Sequence, residues 1–404
     1  MTAPAALPAA RAEKAGNAGN AGRAQGAHDT GYLPGPSPGR IGGHYARRLF
    51  IDRKGRGQPG TVVDVTPQET PPQDAPDGPW QCRLHVVTGK GGTGKTTAAG
   101  ALAVALATGG KRVLLTEVEG RQQIAQLFDT PPLPYAERKV ASAPGGGEVF
   151  ALAIDAEEAL LEYLEMFYNL RRAGRALGKI GAIDFATTIA PGVRDVLLTG
   201  KVKEAVNRPD ATRPGGRAYD AVVLDAPPTG RIARFLNVTA EVAGLAKMGP
   251  IRAQADSVMA VMRSGQTAVH LVTLLEEMPV QETVDGVADL RAAGLQVGGV
   301  IVNMIRTPLL ADGDLERAGA GRLDVEELAA GVKVAGIAPR TALIDALVAE
   351  AAQHARRVAL ETTERGEVEA LGRPVYELPL VADGVDVGVV YRFAELLRTQ
   401  RMVG

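Results

Sequence analysis

Two lysines, four glycines and three threonines are packed into residues 89–97, which read Gly89-Lys90-Gly91-Gly92-Thr93-Gly94-Lys95-Thr96-Thr97. Glycines at this density let a backbone turn sharply and approach an anion closely. The N–H groups of such a loop, with the start of a following helix, point at phosphate oxygens. Lys95 is spaced to reach the β- and γ-phosphates as a point charge. The Thr96 hydroxyl is spaced to coordinate Mg²⁺ directly, and Thr97 to hydrogen-bond near the α-phosphate. The chemistry implied is binding of ATP with Mg²⁺, with neither zinc nor haem expected. The flanks agree: Leu84–Thr88 is a short apolar run with the look of a buried strand, and 98–108 is an alanine-rich helical pattern.

A second set of residues fits the same chemistry. Asp225 ends the apolar run Ala221-Val222-Val223-Leu224. A carboxylate at the C-terminal end of a strand beside a phosphate loop is placed to hold Mg²⁺ through water. The following Ala226-Pro227-Pro228-Thr229-Gly230-Arg231 predicts a stiff turn with a glycine pivot, suited to sensing a γ-phosphate. The strand candidate Arg112–Thr116 runs into Glu117-Val118-Glu119. These acids either serve the phosphoryl chemistry or cap the next helix.

The spelling Lys-Gly-Gly-x-Gly-Lys-Thr-Thr resembles the deviant Walker A motif of the superfamily holding MinD, ParA, the nitrogenase iron protein and the arsenite-pump ATPases. That resemblance implies that Lys90 reaches across a dimer to the partner's nucleotide; the alternative is an exposed lysine that only adds positive field. Residues 225–231 resemble the switch II of the arsenite-pump (ArsA) and guided-entry ATPases, with Arg231 where those proteins usually carry histidine. By the same resemblance Glu119 stands at the switch I aspartate that positions the attacking water, one methylene longer, and Glu117 matches the first acid of a MinD-like pair. Asn303 falls where the family reads adenine, for which an amide can donate and accept together, and Leu378-Pro379-Leu380 resembles the loop packed by the purine. The Pro279-Val280-Gln281-Glu282-Thr283 helix start and the Pro191-Gly192 element add to the match. The chain is similar to actinobacterial anion-transporting ATPases, including a mycobacterial pair thought to form a heterodimer.

The expected fold is α/β: a P-loop NTPase with a mainly parallel sheet flanked by helices. Strand candidates at 84–88, 112–116, 149–154, 221–225, 270–273, 297–302 and 375–380 alternate with helical stretches. Helical insertions are expected at about 155–206 and 239–268. Residues 1–82, rich in Ala, Gly and Pro, are expected to be a disordered extension and linker, with 83–404 as the ATPase domain. The 404 residues carry a net charge of −1 and one cysteine, Cys82. Near-neutrality gives no signal for bulk nucleic-acid binding. A lone cysteine excludes a thiolate triad for arsenite and a CxxC zinc clamp within one subunit.

Together the motifs and the resemblance imply a cytoplasmic or membrane-peripheral Mg²⁺-dependent ATPase that switches as a homodimer or as a heterodimer with an ArsA-like paralogue. Its cargo would be a hydrophobic client or a membrane protein. The apolar face of Leu160, Leu161, Leu164, Phe167, Tyr168 and Leu170, and Met166, Met248, Met259 and Met262, could line a client groove or pack as core. The alternatives are a ParA- or MinD-like positioning ATPase that binds DNA or membrane, and a weakly active subunit that completes a paralogue's site.

Overall fold

The computed structural model describes residues 80–118, 120, 122–168, 191–212, 214–237 and 250–403. The expected extension at 1–79, Glu119, Leu170, Met248 and the side chains of Met166, Phe167 and Tyr168 lie outside the described residues. In chain order the elements are β1 (Leu84–Gly89), α1 (Lys95–Ala107), β2 (Arg112–Glu117), α2 (Gln123–Leu127), β3 (Arg138–Ala143), β4 (Gly147–Ala153), α3 (Ala156–Tyr168) and α4 (Pro191–Asn207). Then come β5 (Ala221–Asp225), α5 (Thr229–Leu236), α6 (Pro250–Met262), β6 (Thr267–Thr273), α7 (Glu277–Ala292) and β7 (Val297–Ile305). The chain closes with α8 (Asp312–Gly319), α9 (Val325–Val334), α10 (Thr341–Glu369), β8 (Val375–Pro379) and α11 (Val387–Thr399).

Among the described residues the strands make one sheet in the order β3-β4-β2-β5-β1-β6-β7-β8. Every pairing is parallel except the β3–β4 hairpin. β1, β5 and β6 are buried along their whole lengths, as parallel strands covered by helices on both faces must be. All seven strand candidates are present. β3 is an addition to them: its sequence, Arg-Lys-Val-Ala-Ser-Ala, mixes exposed and buried positions at the sheet's edge. β6 begins at Thr267, at the end of the second expected insertion.

α1 is buried from Ala98 to Ala107. Its small side chains let it lie between the sheet and α11, whose Val390, Phe393 and Leu397 face the same core. That packing buries the apolar face of α11 in the core. Met259 and Met262 are likewise core residues, so of the expected client-facing residues Leu161 and Leu164 stay partly exposed among those described. No helix among the described residues is long and apolar enough to cross a membrane. Trp80 belongs to the core as well: its indole Nε1 donates to Tyr376 Oη at 3.0 Å.

Two histidines are fully buried in the sheet's centre, His85 on β1 and His270 on β6. The Gly299 N–H donates to His270 Nδ1 at 3.1 Å. The His270 proton therefore resides on Nε2, which donates to His85 Nδ1 at 3.1 Å, and His85 Nε2 donates to the Cys82 carbonyl at 3.2 Å. Gly298 makes room for this chain, since a Cβ there would lie 2.4 Å from His270 Nδ1. Burial lowers the His85 pKa to about 4 and that of His270 well below its ordinary value. Both imidazoles fold neutral, so their contribution is complete above the unfolded pKa of about 6.5 and is lost as pH falls toward the folded values. Urea titrations between pH 8 and pH 5 should show a stability loss on the order of 2 kcal/mol from His85 alone. His85→Gln should flatten that slope, and an equal slope in the variant would refute the assignment.

Candidate active site

The loop of residues 90–94 joins β1 to α1 at the end of the sheet where the parallel strands finish. Two of its glycines are required by what lies against them. A Cβ on Gly89 would stand 2.2 Å from the Val272 carbonyl oxygen. Gly94 caps α1 in the left-handed region, at φ 85°, and a Cβ there would stand 2.3 Å from Asn303 Nδ2. Within the loop the Lys90 carbonyl accepts from the Thr93 N–H at 3.3 Å, the Thr93 hydroxyl at 2.9 Å and Lys95 Nζ at 3.2 Å. Lys95 is thereby folded over the loop. The Lys90 side chain points away from that ring and pairs with Glu282 Oε1 at 2.8 Å.

At the start of α1, Thr96 Oγ1 lies 2.6 Å from Asp225 Oδ2 and 2.9 Å from Gln123 Oε1. A hydroxyl, a carboxylate and an amide oxygen thus meet at the mouth of the loop, and Lys95, Gln123, Asp225 and Pro228 line one small cleft. Asp225 and Glu117 occupy matching ends of paired strands β5 and β2. The Glu117 carboxylate accepts from the Gln122 N–H at 2.9 Å and the Ile124 N–H at 3.2 Å, so it caps α2. Gln122 holds a left-handed backbone at φ 56°. Its side-chain amide accepts from the Leu133 N–H at 2.6 Å and donates to the Leu133 carbonyl at 3.1 Å. Glu119, between these elements, is outside the described residues.

After Asp225 the chain is clamped to β1. The Ala226 N–H donates to the Val87 carbonyl at 2.9 Å, and the Thr88 hydroxyl donates to the Pro227 carbonyl at 2.7 Å. Thr229 and Gly230 open α5, so the expected turn is confined to 226–228 and Gly230 is a helical residue instead of a pivot. Thr229 Oγ1 donates to Glu282 Oε2 at 3.2 Å. Arg231 lines a polar cavity of about 210 Å³ with Arg194, Asp195 and Pro227.

Asn303, buried at the end of β7, donates through Nδ2 to the Thr93 carbonyl at 2.9 Å. One of its two N–H groups thus holds the loop from below, while the amide also lines a cleft with Leu274, Glu276 and Ile305. Pro379 ends β8 beside Ile305 and does not line that cleft. Gln123 and Glu282 are both in contact with side chains of the loop and its helix start; the sequence marked Glu282 only as part of a helix-start motif and did not mark Gln123. Burial pushes the Cys82 thiol up to about 12.

A family model described as Anion-transporting ATPase matches residues 82–265. The ATPase BagA of Mycobacterium tuberculosis is 55% identical over 318 residues, covering 79% of this chain and 93% of that protein. The arsenical pump-driving ATPase of Escherichia coli is 26% identical over 272 residues, covering 60% of this chain and 42% of that protein. The ATPase get3 of Schizosaccharomyces japonicus is 28% identical over 151 residues, covering 37% of this chain and 42% of that protein.

The hydrogen bond beneath the loop gives a direct test. Asn303→Ala leaves the buried Thr93 carbonyl without its donor and should lower unfolding free energy by about 1–3 kcal/mol. Denaturant midpoints of the two proteins measure it; equal midpoints would show that the amide does not support the loop.

Proposed function

Because the chain belongs to the anion-transporting ATPase family and hydrolyses ATP, we propose that residues 89–97 hold the triphosphate and that turnover requires a dimer in which Lys90 serves the partner's site. The observation that carries this reading is the divergence of the two lysines. Lys95 Nζ is bound into its own loop at the Lys90 carbonyl, whereas Lys90 Nζ leaves the loop for Glu282. One lysine is thus available to the phosphates of its own subunit and the other is not directed there.

In this reading Gly89, Gly91, Gly92, Thr93 and Gly94 form the backbone cradle for the phosphate oxygens, with Lys95 and Thr97 alongside. The hard oxygens of Thr96 and Asp225, 2.6 Å apart, suit Mg²⁺. Thr96 would bind it directly and Asp225 through water, and the ion supplies neutralisation of charge on the β- and γ-oxygens. Glu119 orients the attacking water. Glu117 fixes the start of α2. Pro228, Thr229, Gly230 and Arg231 form switch II, tied through Pro227 to β1. Asn303 offers its remaining N–H and its carbonyl oxygen to adenine, with Pro379 near the purine edge. A switch needs contacts that differ between its states; here these are the γ-phosphate against switches I and II. A hydrophobic client or membrane protein is the proposed load, and the partner is a second copy or a paralogue.

Activity measured across protein concentration tests the dimer. Lys95→Ala should cut turnover at least a hundredfold. Lys90→Ala should lower turnover at least about tenfold while leaving nucleotide binding by the monomer nearly intact. Turnover per chain should rise with concentration, with or without an added paralogue. Concentration-independent turnover that survives Lys90→Ala would exclude the trans role.

A further inference from the structure

Glu282 is contacted by two segments that must communicate if the ATPase is a switch. One carboxylate oxygen pairs with Lys90 Nζ at 2.8 Å, and the other accepts from the Thr229 hydroxyl at 3.2 Å. The loop lysine and the first residue of α5 are therefore tethered to a single side chain. Its own backbone has little freedom to follow either partner. Around it on α7, Pro279, Val280 and Thr283 are buried, and the Thr283 hydroxyl donates to the Pro279 carbonyl at 2.8 Å. One turn later, a Cβ on Gly286 would already stand 3.4 Å from Thr229 Cγ2. Residues four apart share a helix face, so Glu282 and Gly286 together bring α7 flush against the start of α5.

We infer that Glu282 is a positioning residue that holds Lys90 in cis until subunits close, and that it makes release of Lys90 felt at Thr229. The inference rests on the trans reading of Lys90 given above. The Lys90 backbone is pinned by the donors on its carbonyl, so crossing to another subunit must come from rotation of its side chain. That rotation breaks the pair with Glu282. The pair is partly solvated, with side-chain exposures of 29% and 35%, so it is weak enough to yield to the charge of a partner's triphosphate. Once Lys90 leaves, the Glu282 carboxylate keeps the hydrogen bond from the Thr229 hydroxyl at the start of α5.

The test uses Glu282→Gln in the full chain, which removes the charge and keeps an acceptor for Thr229. ATPase per chain is measured against protein concentration, and the Lys90 ammonium is followed by lysine side-chain NMR in the nucleotide-free protein, assigned with Lys90→Arg. The half-maximal concentration should fall about fivefold for each lysine that crosses, and the Lys90 ammonium should pass from ordered to freely averaging. Reduced turnover at every concentration, with the midpoint unmoved, would overturn the inference in favour of a direct or merely structural role. So would a Lys90 signal indifferent to the substitution. If wild-type turnover is independent of concentration, the trans reading fails, while the NMR comparison still decides whether Glu282 holds Lys90. Should the variant not fold, the wild-type signal decides: a rapidly averaging ammonium refutes the contact and an ordered, slowly exchanging one supports it.

Discussion

The backbone carbonyl of Lys90 gathers an amide, a hydroxyl and an ammonium group from residues just beyond it in the chain. Everything else at the site depends on that closure. A glycine-rich loop has many conformations in solution, and this convergence, with the Asn303 amide from below, selects one. It also separates the two lysines, because the carbonyl that draws Lys95 inward belongs to the residue whose side chain is sent outward. Backbone and side chain of Lys90 thus have opposite roles: the first is fixed and the second is the part able to move.

The supports of the loop come from strand ends. β1 supplies Gly89 and Thr88, β5 supplies Asp225, β2 supplies Glu117, and β7 supplies Asn303. Parallel strands that begin at one rim of a sheet bring their C-terminal ends to the other, where a ligand can be gripped by several of them at once. Two of the four non-glycine residues with positive φ among those described, Gln122 and Met304, flank this rim. Backbone held in that region has a cost that surrounding structure must offset, and for Gln122 the pair of hydrogen bonds to Leu133 does so.

Much of this was legible in the residues alone, for local reasons. Short apolar runs marked the buried strands, glycines next to Lys95 marked the loop, and Asp225 stood at the end of an apolar run. The features that escaped are those whose meaning lies across the chain. β3 is an edge strand, and its polar positions mimic a loop. Glu282 stood in a recognisable helix-start motif, but only its arrival between Lys90 and Thr229 gives it a role at the loop. Gln123 is an ordinary helix residue until α2 brings it against Thr96. Trp80 follows a proline-rich stretch that reads as linker, yet the hydrogen bond to Tyr376 ties it into the body. Asn303 was expected at the purine; what the structure shows is its amide beneath the loop, donating to the Thr93 carbonyl.

The imidazole pair in the sheet has a consequence for how the strands find their alignment. β1, β5 and β6 are buried on both faces, so sliding one past another by a residue would not bring an apolar side chain into water. Where one face is wet, such a slip would expose the core and be rejected; here that penalty is missing. The run of donors from Gly299 through His270 and His85 to the Cys82 carbonyl replaces it. Shifting β6 by one residue would turn His270 to the opposite face, remove both of its partners and leave His85 Nδ1 without a donor, at a cost typical of orphaned buried polar groups. The polar chain in the driest part of the molecule therefore acts as an index pin, setting the alignment on which the positions of Gly89 and Asn303 rely.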